Sequence, residues 1–282
     1  MLDTTLIYTR VPSHSGSATQ DLAAAGVQVL HFPLQHIGPP ADLARFHAAL
    51  AALPQADLAI PVSPTAVAAV FAALPGVWPA RCAIGLVGEG SLGAARRALA
   101  AQPDDAPWPR LIAPQLVESA GTESDSEALW EALQLAFPPG QVTTFPWAGR
   151  HVIIFRGGNG RDLLQYKLEA AGAKVKVVEA YSRLAPEYDD HTAELLRKAL
   201  GSGGWWLFSS SEAVGNLQGL LRQAGLDAAV LRQQRALAIH ARIAQALRDA
   251  GFGRVELTRA TPEALIYALQ RLEAPSPPRM PT

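Results

Sequence analysis

The sequence predicts an α/β protein of two domains, each a parallel sheet covered by helices on both faces, and three observations carry this. Apolar, β-rich runs alternate with Ala- and Leu-rich helical patterns along the chain, which is the sequence form of repeated βαβ units. The pattern occurs twice, through four separate correspondences. The chain is 282 residues long and 49% hydrophobic, enough to bury two modest cores.

The first run, "LIYTR" (Leu6 to Arg10), leads into "QDLAAAG", a helical pattern stopped by Gly26, and then into "VQVLHFP". Its counterpart is "IIFRG" (Ile153 to Gly157), followed by "YKLEAAG" and "KVKVVEAY", and sixteen positions separate Arg10 from Gly26 and Arg156 from Gly172 alike. "LAIPVSPTAV" (Leu58 to Val67) matches "WLFSSSEAV" (Trp206 to Val214), so Ser63 and Ser210 each precede x-x-Ala-Val. The third pair is "AIGLVGEGSLGAARRAL" (Ala83 to Leu99) with "ALAIHARIAQAL" (Ala236 to Leu247), and the fourth is "EALWEAL" (Glu127 to Leu133) with "EALIYAL" (Glu263 to Leu269). Proline-rich stretches at 100–110 and 138–149 predict surface loops, and "APSPPRMPT" from Ala274 predicts a disordered tail.

Composition narrows the function. Formal net charge is −1, so no global basic field recruits nucleic acid or an anionic membrane, and any anion site must be built locally. With neither a leader nor an apolar run long enough to cross a bilayer, the expectation is a soluble cytoplasmic protein. The single cysteine, Cys82, opens the apolar segment "CAIGLVG" and reads as a small buried hydrophobe rather than a catalytic thiol.

Parallel sheets take ligands just beyond the carboxyl ends of their strands. The polar residues in those places are Thr9 and Arg10, Ser63, Gly88 to Ser91, Arg156 to Arg161, Ser209 to Glu212, and His240. The glycine turn "RGGNGR" fails both nucleotide signatures. Counted from Gly158 and Gly160, the third glycine of a dinucleotide fingerprint is Leu163, and no G-K-[ST] triplet exists in the chain. Two readings stay open for the turn: an anion cradle between Arg156 and Arg161, or a tight turn whose arginines pair with surface acids. Ser63 and Ser210 fit helix N-caps, and neither is flanked by the glycines of a nucleophile elbow, which argues against hydrolase chemistry. The seven histidines are scattered without H-E-x-x-H, so no metal site is expected. The plain reading of His240 is a solvent-facing loop residue. Tyr181, in "VVEAYSR", either packs or offers a phenolic donor.

Taken in order, "LIYTR", "HFPLQHI", "VIIFRGGNGRDLLQYKLEAAGAKVKVVEAYSR" and "FSSSEAV" resemble the uroporphyrinogen-III synthase family over Leu6 to Leu272. The resemblance implies two flavodoxin-like parallel-sheet domains with a deep cleft, one discontinuous (1–34 and 183–272) and one continuous (38–178). It implies a two-stranded β hinge at 31–37 and 177–183, with 274–282 as the tail. The implied activity is that of a monomeric hydro-lyase without metal or organic cofactor, acting on the small molecule hydroxymethylbilane, with no nucleic-acid or membrane partner. This linear tetrapyrrole, carrying an acetate and a propionate on each pyrrole, is closed with loss of water and inversion of the last ring, through a spiro intermediate. A transient hand-over from the preceding enzyme, hydroxymethylbilane synthase, is implied as well.

Matched onto this sequence, the family's pattern makes Tyr181 the group that assists departure of the substrate hydroxyl. It makes Thr9, Arg10, Ser63, Ser91, Arg156, Gly157, Gly160, Arg161, Ser209, Ser210, Ser211, His240 and Arg242 the substrate contacts. Two departures stand out. Where many members carry Gly-Pro-x-Thr, this chain has His240, Ala241, Arg242 and Ile243, which moves a contact to Arg242 or His240. The early turn Gly88, Glu89, Gly90, Ser91 keeps a hydroxyl but adds an acid. A two-domain small-anion binding or sensor module without chemistry is the alternative, told apart by tight binding without turnover. A flavodoxin-type flavin protein, which would be yellow, is a third.

Overall fold

The computed structural model describes residues 4–11, 16–114, 125–137, 147–158 and 162–274. Most of the expected loop at 138–149 and most of the expected tail lie outside the described residues. The chain divides into two compact units, residues 1–37 with 184–282, and residues 38–183.

In the first unit, strands β1 (Thr4–Tyr8), β2 (Val27–His31), β9 (Trp205–Phe208), β10 (Arg235–Ala238) and β11 (Arg254–Leu257) form a sheet in the order β11-β10-β9-β1-β2. All four pairs of neighbouring strands in it are parallel. Helices α1 (Gly16–Ala24), α7 (Asp190–Gly201), α8 (Ser211–Gln223), α9 (Ala241–Asp249) and α10 (Pro262–Glu273) belong to this unit. Successive strand residues alternate between its two faces. Ile7, Trp206 and Phe208 enter the core with α8 and α9, while Leu6, Tyr8, Trp205 and Leu207 enter the core with α1 and α10. Strands buried on both faces are apolar throughout, which is why these runs show no polar alternation in sequence.

The second unit holds β3 (His36–Gly38), β4 (Leu58–Pro61), β5 (Ala83–Gly85), β6 (Leu111–Ile112), β7 (His151–Gly157) and β8 (Lys174–Leu184), ordered β3-β8-β7-β4-β5-β6. Its helices are α2 (Leu43–Ala51), α3 (Pro64–Ala73), α4 (Glu89–Ala100), α5 (Asp125–Ala136) and α6 (Leu163–Ala170). Ile153 and Phe155 face the core under α2, α3 and α4, and Val152 and Ile154 face the core under α5 and α6.

Both sheets share one spatial plan. Numbered along the chain, the first unit has strand order 2-1-3-4-5, the flavodoxin-like order. If β7 and β8 are called strands 1 and 2, then β4, β5 and β6 become 3, 4 and 5, and the second sheet has the same order with β3 added at its edge. The second unit is thus a circular permutation of the first, and the sequence repeats pair its elements correctly: β7 with β1, β4 with β9, β5 with β10, α5 with α10. Gly26 and Gly172, the paired helix stops, both adopt left-handed φ, 83° and 97°, a conformation that costs glycine nothing because it has no Cβ.

Two sequence expectations differ from the fold. Residues 31–37 are not one strand: β2 ends at His31, β3 begins at His36, and Phe32 to Gln35 lie between. Pro33 has no N–H to continue a ladder, although Phe32 and Leu34 still donate to the Tyr8 and Thr9 carbonyls. Trp147, within the expected surface loop, is fully buried and packs against Phe137 with ring centroids 4.8 Å apart and the rings tilted by 55°. Its indole closes the core under α5 and α6, where burial of so large an apolar ring outweighs the loop composition around it.

Candidate functional site

The carboxyl ends of β4, β7 and β8 lie side by side in the second unit, and four residues meet there. Ser63 ends the β4 connection and N-caps α3, its Oγ accepting from the Ala66 N–H at 3.1 Å. The same Oγ lies 3.3 Å from the Tyr181 hydroxyl. Tyr181 is 4% exposed and its phenolic oxygen also accepts from Arg183 Nη2 at 3.2 Å. Gly157 is the floor of this cluster: a Cβ there would stand 2.6 Å from Tyr181 Cζ, so only glycine lets the ring lie down.

A β-bulge produces this arrangement. β7 and β8 pair in step up to Arg156 opposite Glu179, and then Gly157 stands opposite Tyr181 with Ala180 left over. One extra residue re-aims the side chains that follow it, and here it turns Tyr181 over Gly157.

Beside the bulge is a cavity of about 320 Å³ lined by Asp42, Arg45, Arg156, Gly158 and Glu179 among others. Its charged groups are engaged with the backbone and with Asp162. Arg156 pairs with Asp162 at 2.6 Å, Arg45 donates to the Val177 carbonyl at 3.0 Å, and Glu179 accepts from the Ala41 N–H at 3.2 Å. Of the two readings open for the glycine turn, the ion pair between Arg156 and Asp162 is the plainer one. Gly160 and Arg161 lie outside the described residues.

Ser91 is not displayed in its turn. It is the third residue of α4 and 2% exposed, because the helix begins at Glu89 and carries the serine inward. Glu89 itself is exposed.

In the first unit the carboxyl ends of β1, β9 and β10 are neighbours and bring Thr9, Arg10, Ser209 to Ser211 and His240 to one edge. Thr9 is buried, and its hydroxyl donates to the Leu207 carbonyl at 2.5 Å, beyond the last paired residues of β1 and β9. That proton is used inside the sheet and is not presented to a ligand. Arg10 is half-buried and has no ion-pair partner among the described residues. Ser210 repeats the role of Ser63: it caps α8 by accepting from the Ala213 N–H at 3.1 Å and donates to Gln35 Oε1 at 3.2 Å. Gln35 in turn donates to Glu212 at 2.7 Å. Ser209 is half-buried at the end of β9. Ser211 Oγ is buried without a hydrogen-bond partner.

His240 is the N-cap of α9, with Nδ1 accepting from the Arg242 N–H at 3.2 Å. Its side chain is exposed, as is that of Arg242. The imidazole thus replaces the serine or threonine that usually caps a helix.

Cys82 is fully buried, and burial, with a further push from the Asp57 carboxylate, raises its thiol to about 12. It is an inert core residue. Among the described residues no group of three or more His, Cys, Asp or Glu side chains is placed to hold a metal ion, and no helix is long and apolar enough to cross a membrane.

Sequence reasoning missed Arg183 and Gln35. Arg183 sits inside the quoted "VVEAYSR", but nothing in spacing says that its side chain turns back onto a tyrosine two residues earlier. Gln35 is reached by Ser210 across 175 residues.

Comparison with known proteins places these sites in context. Residues 17–267 match the family model described as uroporphyrinogen-III synthase HemD. A uroporphyrinogen-III synthase of Synechococcus elongatus is 31% identical over 207 residues, covering 71% of this chain and 68% of that protein. That of Escherichia coli is 28% identical over 276 residues, covering 94% and 99%. Among solved structures, uroporphyrinogen-III synthetase from Helicobacter pylori aligns with a TM-score of 0.53 at 11% identity, over 96% of this chain and all of that one. A mutant uroporphyrinogen III synthase from Thermus thermophilus gives 0.51 at 19% identity, over 96% and 100%. At such identities the structures speak for the fold, and the sequence match, which spans both units, speaks for descent. The chain belongs to the uroporphyrinogen-III synthase family.

Proposed function

We propose that this protein closes hydroxymethylbilane to uroporphyrinogen III as a cofactor-independent hydro-lyase of the cytoplasm, receiving its labile substrate from hydroxymethylbilane synthase. The observation that supports the reading best is the cluster of Ser63, Tyr181 and Arg183 over Gly157, at the carboxyl end of a parallel sheet in a chain of this family.

The chemistry is a matter of steering. The terminal C–O bond of the bilane breaks, the departing hydroxyl takes a proton and leaves as water, and a ring carbon attacks the exposed methylene. Attack by the free carbon of the last ring gives the uninverted isomer. Attack by its already substituted carbon gives the spiro intermediate and then the inverted ring. Control of this kind comes from holding one geometry and stabilising one transition state over the other. Tyr181 supplies the proton to the departing hydroxyl, a role that general-acid groups fill in other enzymes.

Donors suited to the substrate's carboxylates stand at the carboxyl end of each sheet. Arg10, Arg242 and Ser209 have side-chain donors without a hydrogen-bond partner among the described residues and are the leading contacts in the first unit, together with backbone N–H groups at the starts of α8 and α9, whereas the Ser211 hydroxyl is buried. Ser63 and Ser210 contribute through hydroxyls already fixed by capping, and Arg156, Gly157, Gly160 and Arg161 through the glycine turn. Thr9 acts by holding the sheet edge in shape, and Ser91 packs inward from α4. The passages of chain between the units, at 37–38 and 183–184, run through β3 and β8, which we assign as the hinge.

The test is to supply purified protein with freshly made hydroxymethylbilane, oxidise the products, and separate type I from type III uroporphyrin. Predominantly type III without added metal or nucleotide is expected. Type I alone, at the buffer rate, overturns the proposal.

A further inference from the structure

Arg183 does more at Tyr181 than fill space. Its Nη2 donates to the phenolic oxygen at 3.2 Å, and its guanidinium carbon lies 5.6 Å from the ring centroid. A guanidinium has donors only, so the direction of this hydrogen bond is settled by chemistry. The direction at the other oxygen is settled too, since Ser63 Oγ accepts from the Ala66 N–H at 3.1 Å.

Between these fixed ends stand two hydroxyls 3.3 Å apart, with two protons. One proton makes the bond between the oxygens, and it makes no difference which. Each oxygen already accepts one N–H, so the remaining hydroxyl proton has no acceptor within the cluster and points out of it. Ser63 is half-buried and Tyr181 almost wholly buried, and both stand where the strands end. Remove Arg183 and the phenolic oxygen regains an open acceptor position, so the cluster can equally well meet a ligand as an acceptor.

We propose that Arg183 is a positioning residue for the ring-closing reaction: it fills the open acceptor position of the Tyr181 oxygen, so that the cluster presents a donor, and not an acceptor, to the hydroxyl that must leave. This rests on the role given to Tyr181 above. Arg183 transfers no proton itself.

The test is a double-mutant cycle of the full chain with Arg183→Ala, Tyr181→Phe and both together, following kcat, KM for hydroxymethylbilane and the type III fraction. A residue that acts through another loses its effect once that other is gone. Arg183→Ala is expected to lower kcat roughly tenfold, with KM changed by less than about twofold, and to raise the type I share. In the Tyr181→Phe background the same change is expected to alter kcat by less than about twofold. Equal losses in both backgrounds, or a loss confined to KM, overturn the proposal, since Arg183 then contacts substrate or serves the fold. A slowed Tyr181→Phe with a silent Arg183→Ala overturns it as well and leaves the role of Tyr181 standing. Full rate and isomer purity in Tyr181→Phe overturn that role instead.

Discussion

Gly157 is the residue on which the cluster depends, because it is all that separates β7 from the Tyr181 ring. A methyl group at 2.6 Å from Cζ has to displace the ring or the strand beneath it. Gly157→Ala is therefore expected to cost about 1–3 kcal/mol of stability by overpacking. It is also expected to lower type III formation more than the stability loss explains, as read by thermal melting beside the chromatographic assay. Cys82 makes the opposite case, a reactive atom silenced by its place. Its thiol stays protonated in the folded protein to about 12, so native protein should resist alkylation at pH 8 and react once unfolded. The linkage has a definite sign. The folded state holds the proton more tightly than the unfolded chain, so this contribution to stability is complete below pH 9 and declines as pH rises towards 12. A melting series over that range that rises instead contradicts the assignment.

At the scale of elements, α3, α8 and α9 all begin at a carboxyl-end edge, and each is capped by a residue that sequence reading also marks as a candidate ligand. Capping and ligand binding separate by experiment. Ser63→Ala removes the cap of α3 and is expected to cost about 1 kcal/mol. Replacement of His240 by Asn, a stronger cap, is expected to hold or raise the melting temperature. If His240→Asn keeps the type III fraction, the imidazole serves the helix alone, and a fall in that fraction assigns it to the substrate. Thr9 belongs to the sheet. Thr9→Val removes the hydroxyl that donates to the Leu207 carbonyl and is expected to cost about 1 kcal/mol, with KM for hydroxymethylbilane unchanged. The caps were legible because serine before an apolar helical pattern has a local cause. The bulge at Ala180 was not: it exists only in the pairing of β8 with β7, and no feature of "VVEAYSR" alone records it.

For the whole molecule, the second unit is an unbroken stretch, residues 38–183, with its own strand order and its own core on each face of the sheet. Expressed alone, this stretch is expected to melt cooperatively with an α/β circular dichroism spectrum, since its apolar burial is internal, and to form no type III product. A non-cooperative melt contradicts its independence.

By itself the sequence determined the fold class, the duplication and the places where polar residues meet the strand ends. These follow from local causes: burial on both faces makes a strand apolar throughout, and a helix must be capped and stopped. The tertiary structure alone decided that the second sheet is a permuted copy of the first. It also decided that Thr9 and Ser91 face inward while Arg10 is left without an ion-pair partner among the described residues, and that Arg183 closes on Tyr181. Those outcomes depend on which strand lies beside which, and hydrogen-bond partners are chosen across that arrangement. Ser63 and Tyr181 are 118 residues apart in the chain and 3.3 Å apart in the fold.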